Sequence, residues 1–247
     1  MSAPAITFIG GPTALLEYAG LRIVIDPTFD EPRSYPSPGT PLVKTQGPAV
    51  PVAELEPIDH VLLSHHAHED NLDDAGRELA LRVPVTLSTP QAAAELGAPV
   101  VGLDSWQTHT VGNVTVTGLP GHHGPRAVRP LIGPVIGFLL QAPGEPTVYV
   151  SGDNSSLTAV KHAAERFAPV DIAILFAGAA RVPVIPAALT MTGEKAAKAA
   201  ALLGAKKVVG VHVEDWEHFS EGRAELVAAF AGSDLLVQTP RGQRVEL

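Results

Sequence analysis

The sequence of 247 residues contains no cysteine. This absence excludes disulfide bonds and metal sites built on thiolates, so a transition-metal site would need histidine and carboxylate ligands. Long apolar runs are also missing, because no stretch approaches the roughly 18 residues that a membrane helix requires. The opening residues, MSAPAITFIGG, lack the basic segment of a signal peptide. We therefore predict a cytoplasmic protein that does not enter a membrane.

Positive charge is scarce as well. The chain has 17 basic and 26 acidic residues, which gives a net charge of −9. Non-specific binding to nucleic acid depends on neutralising phosphates with lysine and arginine, so we expect no nucleic-acid partner. Apolar residues make up 45% of the chain, and its length is sufficient for one large hydrophobic core.

Hydrophobic periodicity predicts an α/β protein whose first third is rich in strands and whose remainder alternates strands with helices. Strands are predicted at residues 5–9, 14–18, 21–25, 60–64, 84–88, 99–103, 109–119, 135–141, 147–151, 171–178, 206–213 and 234–239. Helices are predicted at residues 72–83, 90–96 and 157–167, from a cap at Thr192 to Leu203, and from a cap at Ser220 to Phe230. The proline-rich residues 27–57 are predicted to form a long loop. Two sheets packed face to face, with the helices outside, would bury these segments in one domain.

Side chains that commonly bind metals follow several of the predicted strands. The stretch LLSHHAHEDNLDD, residues 62–74, contains three histidines and four acids, and the positions after other strands are Asp26, His122, His123, Asp153 and His212. Rigid strands can bring such side chains together on neighbouring loops. A single histidine after a strand is usually a surface residue, but the cluster in residues 62–74 is hard to explain by packing, because each buried polar group needs a partner. We interpret these positions as a metal site with imidazole and carboxylate ligands.

The order of these residues resembles the metallo-β-lactamase fold superfamily. That family has the pattern His-x-His-x-Asp-His after a strand, followed by a single His, a single Asp and a final His after later strands. The stretch His66-Ala67-His68-Glu69-Asp70-Asn71 is similar to the first element, and His123, Asp153 and His212 follow in the expected order. The stretches HGP, TVYVSGDN and VHVEDWEHF resemble metal-dependent hydrolases near the ascorbate-6-phosphate lactonases. The resemblance implies a four-layer αββα sandwich formed by one domain, residues 1–247.

The same resemblance implies a ligand set for one or two Zn²⁺ or Mn²⁺ ions. The ligands would be either His65 or His66, together with His68, Asp70, His123, Asp153 and His212, with the Asp153 carboxylate shared between the ions. The alternation of side chains along a strand favours His66 as the first ligand, whereas the Ser-His order favours His65. Asn71 stands where the family has a histidine, so the second site is expected to lose one nitrogen donor.

The implied function is metal-dependent hydrolysis of a small ester, lactone or phosphodiester by a hydroxide generated at the metal. Asp70 would orient the attacking water or bind the second ion. Asn71 motivates an alternative, a metal-binding protein of the same fold that has lost catalysis. Arg126, Arg129 and Arg181 are candidates for binding a phosphate or carboxylate, although arginines on loops are usually solvated. His218 is a candidate for contact with a ligand or for a surface role. The expected partner is a small-molecule substrate, and the sequence is compatible with a monomer or a homo-oligomer.

Overall fold

The computed structural model of the protein describes residues 3–37 and 40–247. Its strands are β1 (Ala5–Gly10), β2 (Thr13–Tyr18), β3 (Leu21–Ile25), β4 (Arg33–Tyr35), β5 (Leu42–Lys44), β6 (His60–Leu62), β7 (Val85–Ser88), β8 (Val100–Gly102), β9 (Thr108–Val111), β10 (Val114–Pro120), β11 (Ile136–Gln141), β12 (Val148–Val150), β13 (Ile172–Phe176), β14 (Lys207–Val211) and β15 (Arg244–Glu246). Its helices are α1 (Val52–Leu55), α2 (Asp74–Arg82), α3 (Pro90–Leu96), α4 (Arg129–Ile132), α5 (Leu157–Phe167), α6 (Gly193–Leu203) and α7 (Arg223–Ala229).

Two large sheets organise the fold. The first has the strand order β15-β1-β2-β3-β6-β7-β8, and the second has the order β14-β13-β12-β11-β10-β9. In the first sheet β3, β6, β7 and β8 run parallel, and in the second sheet β12, β13 and β14 run parallel. The carboxyl ends of parallel strands meet at one edge of a sheet, so the loops after these strands lie close together.

Apolar side chains from both sheets form the central core. Phe8 and Leu16 from the first sheet belong to the same buried cluster as Phe138 and Ile174 from the second. The outer face of the second sheet is covered by α5, α6 and α7, and α2 packs on the outer face of the first. The layers therefore run helix, sheet, sheet, helix, and the predicted four-layer αββα sandwich is confirmed.

The prediction of a structureless loop over residues 27–57 is wrong. This segment contains the β4–β5 hairpin and the short helix α1. The hairpin is held by contacts that are distant in sequence: Thr45 N donates to Asp215 O at 2.7 Å, and Glu217 N donates to Val43 O at 3.1 Å. Prolines flank these short strands and obscure their pattern, because local periodicity cannot report backbone bonds to a segment 170 residues away.

Three further predictions are corrected. Residues 109–119 form two strands rather than one, since the chain turns at Gly112, which has φ of +57°. Residues 234–239 form no strand, only an isolated bridge at Leu236, and the last strand of the described chain is β15. Ser220 does not cap the last helix, because its Oγ donates to Ala179 O at 2.7 Å and α7 begins after Gly222.

The first turn of α2 packs closely against the loop after β3. This contact holds α2 at the edge of the first sheet where the parallel strands end. A Cβ atom added at Gly76 would lie 1.8 Å from the backbone oxygen of Pro27. Only glycine therefore allows the first turn of α2 to pack against this loop.

We predict that Gly76→Ala lowers the free energy of unfolding by about 3 kcal/mol or more, because the backbone must move to relieve the overlap. Gly20→Ala is the control. Gly20 has φ of +84° and open space around the added Cβ, so this variant should lose only about 1 kcal/mol of backbone strain. Urea unfolding of both variants measures the difference, and equal losses would contradict the proposed contact.

Candidate metal centre

Three histidines from two separate loops meet at the carboxyl edge of the sheets. His65 and His68 follow β6, and His123 follows β10. One nitrogen from each lies within 4.8 Å of the others, and His65 Nε2 is 2.8 Å from His68 Nδ1. His123 Nδ1 lies 3.2 Å from Asp153 O and 3.1 Å from Leu189 O. Carbonyl oxygens only accept hydrogen bonds, so Nδ1 carries the proton and the Nε2 lone pair of His123 is free to bind a cation.

A second set of donors lies beside the first. Asp70, Asp153 and His212 are buried and offer ligand atoms within 4.8 Å of one another. His212 Nε2 is 3.3 Å from Asp70 Oδ2 and 3.4 Å from Asp153 Oδ1. Both ring nitrogens of His212 and Oδ2 of Asp153 are buried without a hydrogen-bond partner in the described structure. Unpartnered buried groups are costly, and a divalent cation held by this set would satisfy His212 Nε2, which faces the two carboxylates, and the Asp153 oxygen.

Three of the donors have pKa values shifted towards the protonation states that metal ligands require. The pKa of His212 is instead raised, because the lowering effect of its burial is outweighed by the Asp153 and Asp70 carboxylates. Burial holds the pKa of His65 well below its usual range, and burial also lowers the pKa of His123, so both imidazoles are neutral at pH 7. Burial alone would raise the pKa of Asp70, but the imidazoles of His218 and His212 outweigh it and hold this pKa well below the usual value. Neutral imidazole and ionised carboxylate are the forms that bind divalent metals.

A buried carboxylate behind the donors fixes the loop that carries them. Asp26 Oδ1 accepts from Ser64 N at 2.6 Å, and Asp26 Oδ2 accepts from Ser64 Oγ at 2.6 Å and from Asn71 Nδ2 at 2.8 Å. Because the Ser64 hydroxyl proton points to Asp26, its oxygen can accept from His65 Nδ1, 3.1 Å away, which leaves His65 Nε2 facing the other histidines. Asn71 Nδ2 also donates to Asp153 Oδ1 at 3.2 Å.

Asn71 therefore has a role that the sequence analysis missed. The sequence marks Asn71 only as a position where a ligand is lost. In the structure its amide donates to the carboxylates of Asp26 and Asp153. The second donor set contains three residues without it. The contacts among Ser64, Asp26 and Asn71 join residues up to 45 positions apart in the chain. The only feature of the sequence that points to them is the position of Asp26 directly after a predicted strand.

The structure places His65, and not His66, with the other donors. His66 Nε2 lies 2.9 Å from Glu95 Oε2, and His66 belongs to neither donor set. The alternation of side chains along a strand would favour His66 only if the strand continued through residue 68. Since β6 ends at Leu62, His65 and His68 lie in an irregular loop where that alternation does not apply. The geometry favours His65 as the first ligand.

The other predicted site residues lie at varying distances from the donors. His218 Nε2 is 2.9 Å from Asp70 Oδ2, so this histidine contacts the site directly. Arg181 binds Ser220 Oγ and lies on the surface. Arg129 Nε donates to Gly124 O at 3.3 Å, and Arg126 is exposed.

Comparisons with known proteins agree with this geometry. Residues 21–213 match the profile of the β-lactamase superfamily domain. The chain belongs to this superfamily. A "UPF0173 metal-dependent hydrolase" from Pyrococcus furiosus is 24% identical over 247 residues, covering 98% of this chain and 99% of that protein. A protein of the same description from Pelotomaculum thermopropionicum is 29% identical over 254 residues, with coverage of 98% and 99%.

Solved structures share the fold. An isothiocyanate hydrolase from Delia radicum gut bacteria superposes with a TM-score of 0.84 at 24% identity, covering 98% of both chains. A possible metal-dependent hydrolase from Veillonella parvula superposes with a TM-score of 0.86 at 20% identity, covering all of both chains. The relatives confirm the prediction of a metal-dependent hydrolase, and the solved structures confirm the metallo-β-lactamase fold. Across residues 3–37 and 40–247, no helix combines the length and apolar character needed to cross a membrane.

Burial raises the pKa of Asp26 to about 7 despite the hydrogen bonds from Ser64 and Asn71, which lower it. The folded, metal-free protein thus holds this proton more tightly than the unfolded chain, where the pKa is the ordinary 3.8. The stability due to this proton is present at low pH and is lost as the pH rises towards 7.

We predict that the metal-free protein loses about 2–3 kcal/mol of unfolding free energy relative to Asp26→Asn between pH 5 and pH 8. Urea unfolding of both proteins in the presence of a chelator measures this difference. A difference that stays constant with pH would show that Asp26 ionises at its ordinary pKa.

Proposed function

We propose that the two donor sets hold one or two divalent ions, Zn²⁺ or Mn²⁺, and that this centre hydrolyses a small ester, lactone or phosphodiester. The observation that carries the proposal is the convergence of both sets on one cavity of about 520 Å³. His68 and His123 from the first set and Asp70 from the second line this cavity. A substrate in the cavity would thus contact the centre directly, as a catalytic site requires.

The chemistry of the donors supports these metals. Three imidazoles are a set that Zn²⁺ favours, and the set of two carboxylates and one imidazole also suits Mn²⁺. Asp153 Oδ1 lies 3.4 Å from His212 Nε2, and Asp153 Oδ2 is buried without a hydrogen-bond partner in the described structure. With both oxygens available, Asp153 would be the carboxylate shared by the centre if two ions bind. When bound, the metal would supply water activation at neutral pH and polarise the bond to be cleaved.

The residues of the chain account for the movement of protons. Asp70 is ionised, lines the cavity and can accept a proton from the attacking water. The water oxygen bonds to the carbonyl carbon or phosphorus, the bond to the leaving oxygen breaks, and that oxygen takes a proton. His218 contacts Asp70 and also lines the cavity, so it is placed to return the proton to the leaving oxygen.

Asn71 does not support the alternative of a protein that has lost catalysis. The amide of Asn71 is engaged with Asp26 and Asp153, and it leaves the three-histidine set untouched. The isothiocyanate hydrolase with the same fold suggests a further electrophile for this centre, because an isothiocyanate also presents a carbon that water can attack.

We predict that His65→Ala and His68→Ala each lower the metal content of the purified protein by about one ion per chain, because each removes a nitrogen donor of the three-histidine set. His66→Ala is the matched control from the same loop and should retain the metal of the natural protein. Elemental analysis by mass spectrometry measures the content. Loss of metal in His66→Ala with retention in His65→Ala would reverse the ligand assignment.

We predict that Asp70→Asn lowers kcat for a chromogenic ester at least ~100-fold, because the amide cannot accept the proton of water. The ion of the three-histidine set should remain, so the variant keeps at least one metal per chain. Glu69→Gln changes the adjacent carboxylate in the same way and should leave kcat within about twofold. A kcat for Asp70→Asn equal to that of Glu69→Gln would exclude the proposed role.

A further inference from the structure

The cavity above the donor sets has a polar floor and apolar walls. The floor is formed by His68, Asp70, His123 and His218. The walls include Val128, Ile132, Val182 and Ile185, which belong to one hydrophobic cluster. A substrate that reaches the centre must place its body against these aliphatic side chains, which gain free energy from apolar surface removed from water.

The rim of the cavity is apolar as well. Leu131 is 86% exposed and Val184 is 74% exposed, which makes them the most exposed large hydrophobic side chains in the described chain. Both line this cavity, and they come from segments about 50 residues apart in the chain. Clustered exposed apolar side chains are a mark of a binding site. Their position shows that the apolar surface continues from the walls to the entrance.

No lysine or arginine lines this cavity among the residues that the structure describes. Arg129 lines a neighbouring groove of about 630 Å³, which shares His123, Leu131 and Ile132 with the cavity and has no other donor residue in its lining. Arg181 is on the surface, with its guanidinium near Ser220 Oγ and Pro186 O. Apart from the bound ions, an anionic substrate in the cavity would gain no partner from a lysine or arginine side chain for the water that it loses, and it would also face the Asp70 carboxylate.

We infer that this centre acts on neutral substrates with an apolar body, such as esters, lactones or isothiocyanates bearing an aliphatic or aromatic group, and not on phosphodiesters or other anions. The inference rests on the proposed hydrolase function and narrows its substrate class. The reacting carbon lies at the polar floor, and the apolar body lies against the aliphatic side chains of the cavity.

Binding of three hydroxamic acids to the metal-loaded full chain tests this inference without requiring turnover. Hydroxamates chelate the ion through the same group, so differences in affinity report on the rest of the molecule. Acetohydroxamic acid lacks an apolar body, hexanohydroxamic acid has one, and adipic acid monohydroxamate has the same length with a terminal carboxylate. Hexanohydroxamic acid should bind at least ~10-fold more tightly than either of the others, as measured by calorimetry.

Two rim variants locate the effect. Leu131→Asp puts a carboxylate at the entrance and should reduce the advantage of hexanohydroxamic acid at least ~3-fold, with unchanged metal content. Leu202→Asp makes the same change at a partly exposed position of α6 outside the cavity and should leave the advantage intact. Equal binding of the three hydroxamates, or tighter binding of the anionic one, would overturn the inference while leaving the metal centre in place.

Turnover provides a second readout that separates this inference from the proposed function. The value of kcat/KM should rise at least ~10-fold from 4-nitrophenyl acetate to 4-nitrophenyl hexanoate, since the two esters have similar intrinsic reactivity. The contrary result is efficient hydrolysis of bis(4-nitrophenyl) phosphate at a rate that falls in both His68→Ala and Arg129→Ala. That result would support the proposed hydrolase function and overturn the inferred class of neutral, apolar substrates. If protein of measured metal content neither binds the hydroxamates nor hydrolyses the esters, both the inference and the proposed function are overturned.

Discussion

The buried carboxylate of Asp26 is the constraint on which the centre depends. The loop from β6 to α2 carries His65, His68 and Asp70, yet it has no regular hydrogen-bonding pattern of its own. Asp26 holds the start of the loop through Ser64, and the other end is held by a second buried carboxylate, Asp73. Asp73 accepts from Phe29 N, Asp30 N and Gly76 N and pairs with Lys44 at 2.9 Å. Two carboxylates thus fix an irregular segment on the edge of a rigid sheet, which lets its donors meet those of three other loops.

The site combines two environments that favour different steps of hydrolysis. The donor sets are buried and polar, and burial keeps the imidazoles of His65 and His123 neutral, which is the form that binds cations. The cavity above them is aliphatic, which lowers the local dielectric and strengthens the electrostatic interactions at its floor. His218 lies at the boundary, where it contacts Asp70 and also lines the cavity. In the proposed function, water is activated at the polar floor and the substrate body is bound by the aliphatic lining.

Much of the fold could be predicted because its strands are short apolar segments and its helices have capped, periodic sequences. The helix over residues 157–167 has the predicted bounds, and Thr192 Oγ1 accepts from Lys195 N as an N-cap. The choice between His65 and His66 could not be made, because it depends on where β6 stops and on the partner that Glu95 offers. The β4–β5 hairpin and the role of Asn71 were missed for the same reason: both are set by hydrogen bonds to distant segments that leave no local pattern. The apolar cavity walls come from loops far apart in the chain, so the substrate class was not readable from any single stretch.

The most direct test of the central claim is a crystal structure of the purified protein with anomalous diffraction recorded at the zinc and manganese absorption edges. The account predicts a peak within bonding distance of His65, His68 and His123, and a second peak, where a second ion is bound, between Asp70, Asp153 and His212. His66 should remain with Glu95 and contact neither peak. A protein whose metal lies elsewhere, or that has no anomalous peak among these six residues after soaking with either ion, would contradict the account.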